Sequence, residues 1–489
     1  MEAVAVYLSM AQAVQGPGGD GEALARLAGF RRDVYGCLTR RGNALFSLGD
    51  AVLCGPGRVT DLARLSLVPE FRRGHGGLYD AVNAGRVEIG RLRRALAGVP
   101  LPAWPDGRIR LAVDVSSWLR PEAETSPERA FCHVPRRGKE AGTRVPGWPY
   151  SFVAALGPGG SSWTVLLDAV RLGPGDDDGA VTAGQVREVV ARLIAAGHWA
   201  DGDPDIVVVM DSGYNVTRLA WLLRDLPVLP AARVRSNRVF HRPAPARAPG
   251  TDGRRLKHGP PVSCNDPGTW QDPAVTQDGG RPGREVQVTA WQRVHPMVSR
   301  RTGGFEDWPE GTDLPVIEGT LIRVSAPGRA GPMWLWAAVP EPGEDLVRVL
   351  WTSYLRRFDL EHAFRFHRQQ LGWTRPLLRD PAAADRRTWL LVACYAQLWL
   401  ARTLAAVTRL PWQPPQPARA MTPGRVRAGF RRARDHAGTP ARAAKPATPG
   451  PGRPKGSRNK HKPPSYPIGK TTPKQQKAKN PRKKKTPTG

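Results

Sequence analysis

The sequence is poor in acidic residues and in cysteine, and it lacks a long apolar run. Its 489 residues include 43 Asp and Glu against 73 Lys and Arg, so the formal net charge is +30. The five cysteines lie far apart and form no Cys-x-x-Cys pair, which argues against a disulfide framework and against a zinc ribbon. No stretch of about 18 uninterrupted apolar residues suggests a membrane span. Residues 1–13 contain no Lys or Arg and therefore lack the basic start of a secretory signal. These features predict a cytoplasmic protein.

The positive charge is concentrated towards the carboxyl end. Residues 411–489 contain 21 Lys and Arg and a single acid. From residue 436 onwards Pro, Lys, Gly and Thr dominate, and such a composition buries too little apolar surface to offset chain entropy. We therefore predict a basic, largely disordered tail over residues 413–489. Counterion release from phosphate favours a nucleic-acid arm over a solubility tail. Arg453 and Lys455 lie in a segment that partly resembles an AT-hook, so we predict that both contact DNA.

The rest of the chain predicts an α/β fold. Apolar residues spaced three and four apart predict a helical domain at the amino end, and a helix-turn-helix or an ordinary helical bundle fits it equally well. After Pro100, three β-rich runs precede a helix, a buried strand and another helix, which is the order of a ribonuclease-H-like domain. We predict five units. They are a helical DNA-binding domain (1–100), the first part of a ribonuclease-H-like catalytic domain (101–236), a β-rich insertion (237–344), the second part of the catalytic domain (345–412) and the basic tail (413–489).

Two aspartates lie where predicted strands stop being purely apolar. Asp114 lies within Leu-Ala-Val-Asp-Val, and Asp211 follows Val-Val-Val-Met directly. A carboxylate at such a place costs solvation free energy unless a cation compensates it, and a metal ion would be such a cation. The alternative for either residue alone is that it caps the next helix or turn. Asp168, which also lies at a strand, is a rival to both.

A predicted helix near residue 360 has four polar side chains on one face. Arg357, Glu361 and Arg368 follow Tyr354 by three, seven and fourteen residues. At about 100° per residue, these offsets fall within a narrow arc. The pattern Tyr-x2-Arg-x3-Glu-x6-Arg closely resembles the Tyr-x2-Arg-x3-Glu-x6-Lys signature of a large group of bacterial insertion-sequence DDE transposases. Arg368 in place of lysine is the one departure.

The resemblance extends over roughly residues 101–410 and implies a catalytic site. In such an enzyme Asp114, Asp211 and Glu361 would be catalytic residues and ligands of Mg²⁺ or Mn²⁺, with two ions expected. Carboxylates are suitable ligands for these hard cations. Two such ions can activate a nucleophilic oxygen and stabilise the oxygen that leaves.

The resemblance also implies the partners and the reaction. Tyr354, Arg357 and Arg368 would bind phosphates near the scissile bond, since a guanidinium can form two hydrogen bonds with phosphate. The expected partner is double-stranded DNA, at the element ends and at the target, and the protein would act as a homodimer associated with the nucleoid. The implied reaction is metal-dependent cleavage at the element ends followed by strand transfer into target DNA. The alternative is a transposase-derived DNA-binding protein without cleavage activity.

Overall fold

The structure is a computed structural model, and twelve stretches of the chain are described. They are residues 19–134, 144–159, 161–246, 256–281, 284–300, 305, 308–309, 312–328, 331–407, 420–444, 454–458 and 461–469.

Helices dominate the amino-terminal part, where apolar residues recur every three or four positions. They are α1 Gly19–Gly36, α2 Gly42–Cys54, α3 Leu62–Leu65, α4 Gly76–Ala84 and α5 Ile89–Ala97. Two short strands, β1 Leu38–Arg40 and β2 Arg86–Val87, pair antiparallel between them. The DNA-binding role of this region stays a prediction.

A mixed sheet follows, flanked by two helices. Its first six strands are β3 Arg110–Leu119, β4 Ala130–His133, β5 Arg144–Leu156, β6 Thr164–Arg171, β7 Ile206–Met210 and β8 Val228–Val234. The helices are α6 Asp178–Ala195 and α7 Val216–Leu222. Strand β5 pairs antiparallel with β3, β4 and β6, whereas β7 pairs parallel with both β3 and β8. The all-apolar sequence of β7 is explained by its central position, where every one of its residues is buried.

The β-rich region after residue 237 continues this sheet. Its strands are β9 Val239–His241, β10 Pro261–Ser263, β11 Val275–Arg281, β12 Arg284–Val294, β13 Gly319–Ser325 and β14 Met333–Ala337. Strand β14 pairs antiparallel with β8, and β13, β12 and β11 follow in order, while β9 and β10 form a separate hairpin. The predicted boundaries of an insertion at 237–344 stay a prediction.

The carboxyl-terminal helices close the fold over the sheet and the amino-terminal helices. They are α8 Glu344–Arg356, α9 Phe358–Gln369, α10 Pro381–Leu400, α11 Arg402–Val407 and α12 Pro423–Ala437. Helix α10 is almost wholly buried and packs against α1, α2 and α4. Buried Arg31 of α1 donates hydrogen bonds to Asp50 of α2 and to Gln397 of α10. No helix among the described residues is long and apolar enough to cross a membrane.

The prediction of a largely disordered tail is wrong for helix α12. Val426, Phe430 and Ala433 are almost completely buried, and the Thr422 side chain caps the first turn. Arg427 is also buried, and it donates hydrogen bonds to backbone carbonyls at the end of α2 and in the loop after it. The many basic residues of this segment suggested a solvated chain. Several of them instead bind carbonyls or acids of the fold, and the segment is an amphipathic helix.

A second part of the predicted tail also contacts the fold. The backbone N–H of Tyr466 donates to the Glu124 carbonyl at 2.8 Å, and that of Gly469 donates to the Arg129 carbonyl at 2.7 Å. Both acceptors lie in the loop between β3 and β4. Residues 470–489 lie outside the described residues.

Candidate active site

The parallel pairing of two central strands aligns the first two predicted acids. Val113 of β3 pairs with Met210 of β7, and this is the last pair of that ladder. Asp114 is the next residue of β3, and Asp211 directly follows β7. Neighbouring parallel strands therefore bring the two carboxylates to the same place in the sheet, although 97 residues separate them in the sequence.

The third acid comes from a pair of helices that meet at Arg357. The sequence predicts continuous helical spacing through this region, but α8 ends at Arg356 and α9 begins at Phe358. The junction is gentle, since Arg357 keeps helical backbone angles and its N–H donates to the Ser353 and Tyr354 carbonyls at 3.1 Å. The predicted face therefore survives the break and lies against β3 and β7.

Hydrogen bonds join that face to both strands. Arg357 Nη1 donates to Asp114 Oδ2 at 2.5 Å, and Nη2 donates to Glu361 Oε1 at 3.2 Å. The Tyr354 hydroxyl donates to Asp211 Oδ1 at 3.4 Å. Five of the predicted site residues thus form one cluster.

The cluster has more negative than positive charge. The pKa of Asp114 is raised to about 6, chiefly by burial and also by Asp211 and Glu361, while Arg357 and the Val115 N–H oppose the rise. Burial opposes the charge of Arg357, but the surrounding acids, Asp114 first, raise the pKa of its guanidinium. These effects show that all three acids lie within electrostatic reach of one guanidinium.

The alternative of a helix cap fails for Asp211. Helix α7 is capped by Asn215, whose side chain accepts from the Arg218 N–H at 3.2 Å. Asp211 instead accepts from the Ser212 N–H at 2.7 Å and from Tyr354. Its position therefore matches a site residue better than a capping residue.

The rival Asp168 has a different environment. Its side chain is fully buried and forms ion pairs with Arg93 of α5, at 3.1 Å, and with Arg192 of α6. Gln185 donates to it as well. Both arginines also pair with Glu188 of α6, so the charges balance. Asp168 thus links three elements of the fold, and the described structure gives it a structural role.

The remaining predicted residues lie further out. Arg368 is exposed on α9, two helical turns beyond Glu361, and interacts with it electrostatically. Lys455 is exposed in the short stretch 454–458, and Arg453 lies outside the described residues. Their contacts with DNA stay predictions.

Sequence reasoning missed Tyr214. Burial raises the pKa of its hydroxyl, and Asp114 raises it further, so this tyrosine lies beside the acids. The only signal in the sequence is its position three residues after Asp211, at the carboxyl end of a buried strand.

The three carboxylates suit a hard divalent cation, which prefers oxygen ligands. Asp114 and Glu361 share the Arg357 guanidinium, and Asp211 binds the Tyr354 hydroxyl. Their present arrangement does not form a cradle. Within the described residues, no three or more His, Cys, Asp or Glu side chains are arranged so that they could hold a metal ion. The chemistry of the donors therefore fits Mg²⁺ or Mn²⁺, and a metal would require the side chains around Arg357 to rearrange.

One family model matches the chain. Residues 33–297 match the model of a family described as DDE superfamily endonuclease. The match spans more than half of the chain and includes Asp114 and Asp211, whereas Glu361 lies beyond it and enters the site through the geometry of α9. No match was found among curated proteins.

Proposed function

The chain belongs to the DDE superfamily endonucleases, and from this premise we propose that it is a DDE transposase that cuts DNA at element ends and joins them to target DNA. The observation on which the proposal rests is the cluster of Asp114, Asp211 and Glu361 around Arg357. An endonuclease uses the site once, to cut DNA. A transposase would use the same site a second time for strand transfer, with a DNA 3′-hydroxyl as the nucleophile. The transposase signature around Glu361 supports that second use.

The strand order supports the ribonuclease-H-like assignment within this proposal. The order is β6, β5, β3, β7, β8, with the first three strands antiparallel and the last two parallel to β3. Helix α6 connects β6 to β7, and α7 connects β7 to β8. This is the three strands, helix, strand, helix order that the sequence predicts.

In the proposed reaction Asp114, Asp211 and Glu361 would hold the divalent cations. When bound, two Mg²⁺ or Mn²⁺ ions would help to deprotonate the attacking oxygen and would stabilise charge on the leaving oxygen. The strands fix the positions of the two aspartates, and α9 brings the glutamate to them. Tyr354, with its hydroxyl on Asp211, orients that carboxylate.

The basic side chains would bind the substrate. Arg357 and Arg368 lie on the face of α8 and α9 that includes Glu361, where a phosphate would be bound near the acids. Arg453 and Lys455 would contact DNA from the tail, and residues 1–100 would supply a further DNA-binding region. We propose a homodimer on double-stranded DNA, with one copy at each element end.

The direct test is nicking of DNA that carries the inverted repeats flanking the coding region. We expect wild-type protein to nick this DNA with Mg²⁺ or Mn²⁺ and not with EDTA. Asp211→Asn and Glu361→Gln should abolish nicking and keep DNA binding. Asp345→Asn is the matched control, because its side chain is 96% exposed at the start of α8.

The outcomes separate the proposed functions. Full nicking by Glu361→Gln would remove the assignment of that residue. Wild-type protein that binds the repeats but does not nick them under any divalent cation would favour the alternative, a transposase-derived DNA-binding protein.

The basic tail provides a separate test of DNA binding. Residues 470–489 contain eight Lys and Arg and no acid, so truncation after Gly469 should weaken DNA affinity and flatten its dependence on salt. A tail of equal length with these residues changed to Gln should behave like the truncation. Unchanged affinity at all salt concentrations would leave the tail without this function.

A further inference from the structure

Arg357 lies where two of the three acids meet. Its side chain is 10% exposed, and its two terminal nitrogens are divided between Asp114 and Glu361. One guanidinium therefore bridges the strand acid and the helix acid. The guanidinium carbon of Arg357 also lies 5.6 Å from the centre of the Tyr354 ring, and the Tyr354 hydroxyl binds the third acid, Asp211.

This bridge explains why a suitable donor set does not form a metal cradle. One oxygen of Asp114 and one of Glu361 are already bound to a cation, the guanidinium. A divalent ion and Arg357 would compete for those same oxygens, and two cations in one place repel each other. As long as Arg357 keeps both hydrogen bonds, Asp114 and Glu361 cannot bind a divalent ion together with Asp211.

Arg357 also keeps an unused donor. Its Nε is buried and has no hydrogen-bond partner within the described part of the chain. A buried donor without a partner costs free energy. A phosphate oxygen would satisfy it, since a guanidinium presents Nε and a terminal nitrogen as a fork that matches phosphate.

We propose that Arg357 is a positioning residue that takes the cation's place between Asp114 and Glu361 in the DNA-free protein and transfers to a DNA phosphate when substrate binds. This rests on the proposed function. Its consequence is positive coupling, in which DNA strengthens divalent-cation binding by removing Arg357 from the acids. Coupling of this kind is reciprocal, so the cation strengthens DNA binding by the same factor.

The test measures Mn²⁺ binding by titration calorimetry on the full chain, with and without a short DNA duplex. We expect wild-type protein to bind Mn²⁺ weakly alone and at least about fivefold more tightly with DNA, which is the lower end of typical coupling. Arg357→Gln should bind Mn²⁺ at least about fivefold more tightly than wild type without DNA, because the competitor is gone. The gain on adding DNA should be smaller for this variant than for wild type.

Two further variants separate competition from general charge. Arg348→Gln removes the same charge from the exposed side of α8, where Arg348 pairs with Asp345, and should bind Mn²⁺ as wild type does. Arg357→Lys keeps the charge and loses the fork, so it should lie between wild type and Arg357→Gln. It also provides the measurement if Arg357→Gln does not fold.

Each remaining outcome has one meaning. Mn²⁺ binding that requires Asp114, Asp211 and Glu361 but is equal or weaker in Arg357→Gln would overturn this inference and leave the proposed function intact. Absence of Mn²⁺ binding to wild type, with DNA as well as without it, would overturn both.

Discussion

Two strand aspartates of the same sheet have different charge balances. Asp168 on β6 is fully buried and pairs with Arg93 and Arg192, which both also pair with the exposed Glu188, so two acids face two arginines. Asp114 on β3 shares Arg357 with Glu361, has Asp211 nearby as a third acid, and remains partly exposed. Both lie at sequence positions where a carboxylate in a strand needs a cation. The arginines of the fold compensate the charge of Asp168, whereas the cluster around Asp114 keeps an excess of negative charge.

This difference distinguishes a structural acid from a candidate ligand. Burial raises the pKa of both carboxyls, so a raised pKa alone would select both residues. The charges around them differ in one respect. Arginines lower the pKa of both carboxyls, but only at Asp114 do neighbouring acids contribute to the rise. The excess of acids around Asp114 is what the proposed cation site would need.

The largest expected effect is the difference in nicking rate between Asp114→Asn and Asp168→Asn. Asp114→Asn should lower the nicking rate by about a thousandfold or more, since losing a metal ligand removes several kcal/mol of stabilisation from the transition state. Asp168→Asn should keep the rate per folded molecule. Nicking assays corrected for the folded fraction measure both, and equal losses would break the comparison.

For stability we expect the opposite order, with a larger loss for Asp168→Asn than for Asp114→Asn. Asp168→Asn removes the buried acid of Arg93 and Arg192 and leaves them only the exposed Glu188, so it should lower the free energy of unfolding by about 3 kcal/mol. Asp114→Asn should cost less, because it also removes repulsion from Asp211 and Glu361. Urea denaturation gives both values, and a larger loss for Asp114→Asn would contradict the assignment of Asp168 as the structural acid.

Removing one of the two cations of Asp168 should have a smaller effect. Arg93→Gln leaves Arg192 and Gln185 on the carboxylate, so the expected loss is about 1 to 2 kcal/mol. The same denaturation experiment measures it. A loss as large as that of Asp168→Asn would mean that Arg192 does not compensate the carboxylate by itself.

The smallest effect is expected at an exposed acid with its own arginine. Asp177 caps α6 and binds Arg218, and this hydrogen bond together with the cap lowers the Asp177 pKa from 3.8 to about 2. Asp177→Ala should cost about 1 kcal/mol near neutral pH. Since the folded pKa is depressed, this contribution is present above about pH 4 and disappears as the pH falls towards about 2. Thermal unfolding across that range checks it, and a loss that does not depend on pH would contradict the ionic part of the cap.

Much of the site follows from local sequence patterns, and the missing parts depend on long-range contacts. Asp114 and Asp211 were predictable because an acid interrupts an apolar strand, and Glu361 because of its spacing from Tyr354 and Arg357. The bridge from Arg357 to Asp114 was not predictable, since it spans 243 residues and depends on how α8 and α9 pack on the sheet. The pairing of β14 with β8 is a long-range contact of the same kind.

Helix α12 shows the opposite limit. The predicted disordered tail included this segment because of its basic charge, and average charge takes no account of where each side chain points. Phe430 and Val426 face the core, and Arg427 binds carbonyls of the amino-terminal region. The period of the apolar residues was a better guide to this helix than its net charge.

The central claim is that Asp114, Asp211 and Glu361 together hold divalent cations when DNA is bound. The most direct test is a crystal structure with element-end DNA and Mn²⁺, with the metal located by its anomalous scattering. We expect a peak in contact with all three carboxylates and the Arg357 guanidinium on a phosphate. A peak elsewhere, or acids that remain bridged by Arg357 with DNA and Mn²⁺ both bound, would contradict it.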